Sequence, residues 1–166
     1  MSELIQATFQ PLQSMDLSVA ILRLLLALVL GAVIGWERER SSRPAGLRTH
    51  MLISMAAALF TVIATELTHM RADQDASLQI DPLRLIEAVT AGVAFLAAGS
   101  IITKGANVRG ITTGASMWLA GAIGLSCGTG NGTLAAIAAG FGLMVLSLIR
   151  NVVEPRLSSD GTKPPD

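Results

Sequence analysis

From Leu17 to Trp36 the chain is apolar except for Arg23. Six charged side chains then fall between positions 37 and 48 (Glu37, Arg38, Glu39, Arg40, Arg43 and Arg48) before an apolar run resumes. A helix needs about 20 apolar residues to cross the hydrocarbon core of a bilayer. A soluble domain spreads its charges over its surface, whereas here they bunch between greasy segments. Only 14% of the 166 residues are charged, 51% are hydrophobic and the mean hydropathy is +0.58. Ordinary globular domains carry roughly 25% charged residues. The deficit is that of a membrane protein.

Five candidate spans follow: Leu17 to Trp36, His50 to about Leu67, Asp81-Pro82 to Thr103, about Ile111 to Cys127, and Thr133 to Ile149. The expected fold is all-α, a bundle of five transmembrane helices over residues 17–150. An extracytoplasmic segment (1–16) precedes it and a short, disordered cytoplasmic tail (151–166) follows. Asp81 suits a helix cap and Pro82 a first helical turn. The "GTGNGT" stretch between the last two runs reads as a tight turn. The first run follows acidic and polar residues and has no small-residue cleavage site, so it reads as a retained span rather than a signal peptide.

Lys and Arg gather on the cytoplasmic side of membrane proteins. Arg38, Arg40, Arg43, Arg48, Lys104, Arg109, Arg150, Arg156 and Lys163 fall on one side of this topology, and Arg71 alone in the connections on the other. The N-terminus is therefore expected outside and the C-terminus inside.

Soluble chemistry finds little support. The single cysteine, Cys127, excludes an intrachain disulfide and a cysteine metal cage. His50 and His69 lie on opposite sides of the membrane and cannot share a metal. No Gly-x-Ser-x-Gly, phosphate loop or His-Glu-x-x-His occurs, and no histidine is near Ser116 in sequence to activate it. The expectation is no enzyme, no catalytic residue, no metal, no cofactor and no nucleic-acid partner. Basic loops at the surface suit anionic lipid headgroups.

Small residues recur every four positions: Ala27, Gly31 and Gly35; Ser116, Ala120, Gly124 and Gly128; Gly132, Ala136 and Gly140. That spacing stacks them on one helix face and lets backbones approach. The ladders serve packing within one protomer or, for at least one of them, contact between protomers.

Ionisable groups inside spans are expensive and are usually paired or functional. Arg23, Glu66, Arg84 and Glu87 all fall in the outer third of the membrane. Arg23 lies seven residues past Asp16, about 10 Å inward at 1.5 Å per residue. Arg23 and Glu87, the deepest of each sign, are expected to pair. Such a pair fixes helix register; the alternatives are an ion or proton site facing outward, or residues that sit at the headgroups.

Three blocks carry a resemblance. "LRLLLALVLGAVIGWERERSSRPAGLRTHMLI", "DPLRLIEAVTAGVAFLAAGSII" and "VRGITTGASMWLAGAIGLSCGTG" together resemble the membrane domain of the MgtC/SapB family. The likeness covers residues 17 to 150. It implies an inner-membrane protein linked to magnesium-limited growth and, in intracellular pathogens, to virulence and survival in macrophages. Members carry magnesium-transporter names, while the regulatory view of the family is restraint of the F-type ATP synthase or of ion transport. Many members have a soluble C-terminal domain after the last helix; here sixteen residues follow Arg150. Glu87 stands where the family pattern has a smaller or neutral residue.

The resemblance singles out Arg23, Arg84 and three further groups. Glu37, Arg38, Glu39, Arg48, His50 and Arg109 form the cytoplasmic loop, a topology signal and lipid contact, a docking surface or a cation gate. Ala45, Leu47 and Thr49 complete its motif. Gly31, Gly35, Gly46, Gly92, Phe95, Gly99, Gly110, Thr112, Thr113 and Trp118 form the packing motif. Gly46 is expected to permit a tight turn, Glu37 and Glu39 to pair with Arg48 and Arg109, and Thr112 and Thr113 to cap the fourth helix or donate to a partner helix. The expected function is a non-enzymatic regulator that binds another membrane complex, with an oligomeric cation transporter or channel as the alternative. The partners would be the bilayer, that complex and, in a homo-oligomer, a second copy of the chain.

Overall fold

The computed structural model describes residue 1 and residues 10–72, 81–104 and 107–148. Among these described residues five helices run in chain order: α1 (Leu17–Arg40), α2 (Leu47–Ala72), α3 (Pro82–Gly99), α4 (Ile111–Gly128) and α5 (Gly132–Leu148). Between α3 and α4 stand two short strands, β1 (Ile102–Lys104) and β2 (Asn107–Arg109). They pair antiparallel with Ile102 opposite Arg109. The hairpin corrects the expectation that the third run stays helical to Thr103. The expected tail lies outside the described residues.

Local chemistry sets the element ends. Asp81 caps α3 by accepting the Leu83 N–H at 2.9 Å, with Pro82 in the first turn. α1 ends where Ser42 turns left-handed, at φ 53°. Gly110 starts α4 at φ +93° and Gly130 turns the chain from α4 into α5 at φ +87°. A Cβ at Gly110 would also run into the Ser100 carbonyl. Among the described residues two stretches are long and apolar enough to cross a membrane, Leu17–Arg40 and Leu47–His69.

α4 is the centre of the bundle and touches all four other helices; α1, α2 and α4 pack mutually, and α5 lies on α1 and α4. The small-residue ladders make these contacts. A Cβ at Gly31 would stand 2.7 Å from the His50 carbonyl, and one at Gly35 2.7 Å from Leu47 Cα. On the α2–α4 crossing, a Cβ at Gly124 would meet the Ser54 carbonyl and one at Gly128 would meet Thr61 Cβ at 2.5 Å. The core between them is apolar, with Ala27, Ile34, Ala58, Ile123, Cys127, Ala135 and Ala139 buried together.

α3 is the outlying helix. A methyl group added at Gly92 or Gly99 would find nothing within 4 Å, and Phe95 is 80% exposed. Trp118, on α4, is 55% exposed. These packing-motif residues therefore face outward rather than into this protomer. Gly140 also faces open space, and Ala136 is exposed, so the α5 ladder contacts the bundle only at Gly132, against Leu26.

A buried polar network at one end of the bundle

α1 and α2 approach closely at Gly31 and Gly35, and Glu37 and Arg38 at the end of α1 and His50 at the start of α2 are buried beside α4. His50, in the first turn of α2, is fully buried. Its Nδ1 lies 2.8 Å from the Gly46 carbonyl and its Nε2 lies 3.0 Å from Ser116 Oγ. A carbonyl can only accept, so Nδ1 carries a proton. Ser116 Oγ also lies 2.8 Å from the Thr113 carbonyl. With a neutral ring, the single Ser116 hydroxyl proton serves either Nε2 or Thr113.

Glu37 and Arg38, in the last turn of α1, are buried beside this chain. Arg38 Nη1 stands 3.8 Å from Glu37 Oε2, and Arg38 Nη2 donates to Thr113 Oγ1 at 3.3 Å. Ser41 Oγ donates to Glu37 Oε1 at 2.8 Å. Buried charges are tolerable when paired and hydrogen-bonded, and removing one partner is strongly destabilising. The network ties α1 to α4 through Arg38 and α2 to α4 through His50.

This arrangement corrects several expectations. Glu37, Arg38 and His50 are buried, so in this structure they are not part of a docking surface. Glu39, Arg48 and Arg109 are exposed. Glu39 accepts the Leu47 N–H at 3.0 Å and so caps α2. Gly46 has no left-handed backbone; the Glu39 carboxylate occupies the place of a side chain, so a larger residue would displace that exposed carboxylate from the Leu47 N–H. No side-chain bond caps α4: Thr112 is exposed, and Thr113 instead accepts from Arg38. Ser116, for which sequence distance offered no histidine, has His50 in reach. Both are sealed from solvent, which suits a structural bond rather than a nucleophile.

The opposite end holds the remaining charges, and among the described residues they do not form a cluster. Arg23 Nη1 donates to the Gly128 carbonyl at 2.8 Å, and its guanidinium packs over Gly130. It thereby satisfies an orphan carbonyl at the C-terminus of α4, where the helix dipole favours a cation. Glu87 is exposed on α3, and among the described residues no ion pair joins it to Arg23. Arg84 is also exposed. Glu66 accepts from Gln13 N at 2.7 Å, Ser14 N at 2.9 Å and Ser14 Oγ at 2.6 Å, tying the N-terminal segment to α2. The expected Arg23–Glu87 pair is thus replaced by a backbone cap. Arg23→Gln should lower stability by about 1.5–3 kcal/mol, the range for a hydrogen bond to a charged group. Glu87→Gln should change it by less than about 0.5 kcal/mol, as for other surface substitutions. The double variant, followed by thermal unfolding in detergent, should show additive losses.

The class defined here is an α-helical membrane protein whose helices are clamped by polar contacts at each end. A family model described as the MgtC family matches residues 24–154, and the chain belongs to that family. The Brucella abortus (strain 2308) protein named "Protein MgtC" is 38% identical over 128 residues, covering 77% of this chain and 50% of that protein. "Protein SrpB" of Synechococcus elongatus is 40% identical over 135 residues, covering 75% of this chain and 71% of that one. "Putative magnesium transporter YhiD" of Escherichia coli K12 is 34% identical over 139 residues, covering 80% and 61%. The chain spans half the length of the Brucella relative. No solved structure matches it.

Proposed function

We propose that the chain is a five-pass protein of the bacterial inner membrane, N-terminus outside, that acts in magnesium homeostasis as a non-enzymatic regulator of another membrane complex. The F-type ATP synthase or an ion transporter is the complex that the family resemblance suggests. The supporting observation is where the charge lies. No ionisable residue stands between Arg23 and Glu37 on α1, between His50 and Glu66 on α2, or anywhere on α4 and α5 apart from the buried thiol of Cys127. The middle of the bundle is filled by alanine, isoleucine and glycine. An ion crossing the middle of the bundle between α1, α2, α4 and α5 would find no charged side chain to replace its hydration; Arg84 and Glu87 are exposed in the first two turns of α3. The magnesium link rests on the name of YhiD.

That same name favours a second reading, in which copies of the chain assemble around a cation path between protomers. One experiment separates the two. A photo-crosslinker is placed at Arg40, which is exposed, in cells grown at low magnesium, and the captured proteins are identified by mass spectrometry. Capture of one other membrane complex, lost on Arg48→Ala at unchanged protein level, supports the regulator. Capture of the chain itself alone, with magnesium flux in liposomes holding only the purified chain, would contradict it and support the transporter.

A further inference from the structure

The inner side of α3 is small: Val89 and Val93 are buried with Ile53 of α2 and Met117 of α4. Ala88, Gly92, Phe95 and Gly99 are exposed. At about 100° per residue they share one sector of the helix, about 60° wide. Phe95 marks one edge of this sector and Gly92 the other, with Ala88 and Gly99 between them.

Beside the Gly92 edge, an apolar groove of about 380 Å³ runs between α2 and α3. Leu52, Ala56 and Phe60 form one wall and Ala88, Gly92 and Leu96 the other; no charged residue among the described residues lines it. Gly92 leaves its wall flat, since a Cβ there would meet nothing within 4 Å. An apolar cavity of about 150 Å³ holds a benzene ring, so the groove has room for a phenyl group. Phe95 is 80% exposed and does not line the groove of its own chain. Knob and hole thus sit side by side at one depth, because Phe95 lies between Gly92 and Leu96 along the helix. A two-fold axis along the membrane normal sets each edge of the sector against the opposite edge on a second copy. Each Phe95 then enters the other groove at matching depth, as a knob enters a hole, and glycine at the hole lets the backbones approach.

Charge follows the same symmetry. Arg84 lies four residues before Ala88, about 6 Å beyond the groove, and Glu66 six residues past Phe60, about 9 Å beyond it, at 1.5 Å per residue. In the five-pass topology both distances run outward, so the two residues flank the outer mouth of the groove. Among the described residues neither joins an ion pair; Glu66 is held by hydrogen bonds from Gln13 and Ser14. Across the two-fold, Arg84 on each copy comes to the Glu66 side of the other, and opposite charges facing each other fix the register of an interface. An acyl chain in the groove would answer neither the projecting ring nor these charges.

We propose that a second copy of this chain docks on this face, each Phe95 seated in the α2–α3 groove of the other. The contact rests on the five-pass topology and not on the regulatory role. Its seam is apolar below the two outer charge pairs, so it is not the cation path of the second reading.

The test uses the full chain in native membranes, in a Cys127→Ala background. A disulfide needs Cα atoms within about 7 Å, so only positions near the axis can link to themselves. Ala88→Cys and Gly99→Cys lie there, whereas Ala94→Cys is exposed on another side of α3. On oxidation with copper phenanthroline, Ala88→Cys and Gly99→Cys should each give at least tenfold more covalent homodimer than Ala94→Cys. Adding Phe95→Ala, Gly92→Leu or Arg84→Glu to Ala88→Cys should each lower its yield at least fivefold at unchanged membrane level. Equal linking at positions 88 and 94 would mean random collision and would overturn the interface. Linking at position 88 that survives both Phe95→Ala and Gly92→Leu would overturn the seating of the ring. A monomer carrying only phospholipid in native mass spectrometry would assign the groove to lipid, and adducts to another protein in place of the homodimer would assign it to a different partner; either would overturn the second copy. Capture of another complex from Arg40 is read independently, so the regulatory role is judged apart from these results.

Discussion

His50→Ala should destabilise the protein by about 2–5 kcal/mol, the range for emptying a buried side-chain volume. The ring is fully buried, and it bridges the Gly46 carbonyl and Ser116 Oγ. Its removal opens a void at the meeting of α1, α2 and α4 and takes the partner from Ser116. Ser116→Ala should cost less, about 1–3 kcal/mol, because it leaves Nε2 buried without its hydrogen bond. The two losses should not add. Once His50 is gone, Ser116 can still donate to the Thr113 carbonyl, so the double variant should recover about 0.5–3 kcal/mol of the sum. Thermal or denaturant unfolding in one detergent would measure all four corners of this cycle. Strict additivity would show that the 3.0 Å contact contributes nothing.

A larger loss is expected from Gly124→Val. Even a single Cβ at this position meets the Ser54 carbonyl, and it would lie 2.9 Å from Ala57 Cβ. The obstruction is backbone, which cannot swing aside as a long side chain can. Overpacking of this kind costs typically 1–3 kcal/mol and more where the backbone must move. Here α2 would have to leave α4, so the protein should fail to accumulate or unfold below growth temperature. Gly140→Ala gives the contrast. That position has nothing within 4 Å, and alanine is about 1 kcal/mol better than glycine in a helix. Gly140→Ala should be neutral or slightly stabilising, with melting in detergent as the readout. If the two substitutions behaved alike, the α2–α4 crossing would be misplaced.

Much of this contrast is legible in the sequence. The four-residue spacing of Ser116, Ala120, Gly124 and Gly128 marks a close helix crossing without naming the partner helix. The runs of apolar residues place the five helices, with ends shifted by a few residues, and Asp81-Pro82 fixes one start. The α1 and α4 ladders are absorbed within the protomer, whereas Gly92, Gly99 and Gly140 are not, and nothing in their spacing distinguishes them. The hairpin escapes notice because strands of three residues are too short to show an alternating pattern.

The candidate site is less legible, for a physical reason. Charge pairing suggests itself from sign, which matches Arg23 to Glu87. Arg23 is instead satisfied by a backbone carbonyl, Gly128 O, and every residue type carries one. His50 and Ser116 are 66 positions apart, and only the folded contact of α2 with α4 brings them together. The charged loop motif does not separate inward from outward residues either. Glu37 and Arg38 turn in while their neighbours Glu39 and Arg40 stay exposed, because the helix turns through about 100° per residue and only one side of α1 faces α4.

The central claim is that this end of the bundle is closed by a network sealed from water, with only its outer residues open to partners. Cysteine labelling tests it most directly. In a Cys127→Ala background, Arg48→Cys, Arg109→Cys and Ser116→Cys are exposed to a membrane-impermeant maleimide in inverted membrane vesicles. Arg48→Cys and Arg109→Cys should react within minutes, while Ser116→Cys, at a site 3% exposed, should stay protected until the protein is unfolded. Reaction of Ser116→Cys at the rate of Arg48→Cys in the folded protein would mean that water reaches the network, and would contradict the account.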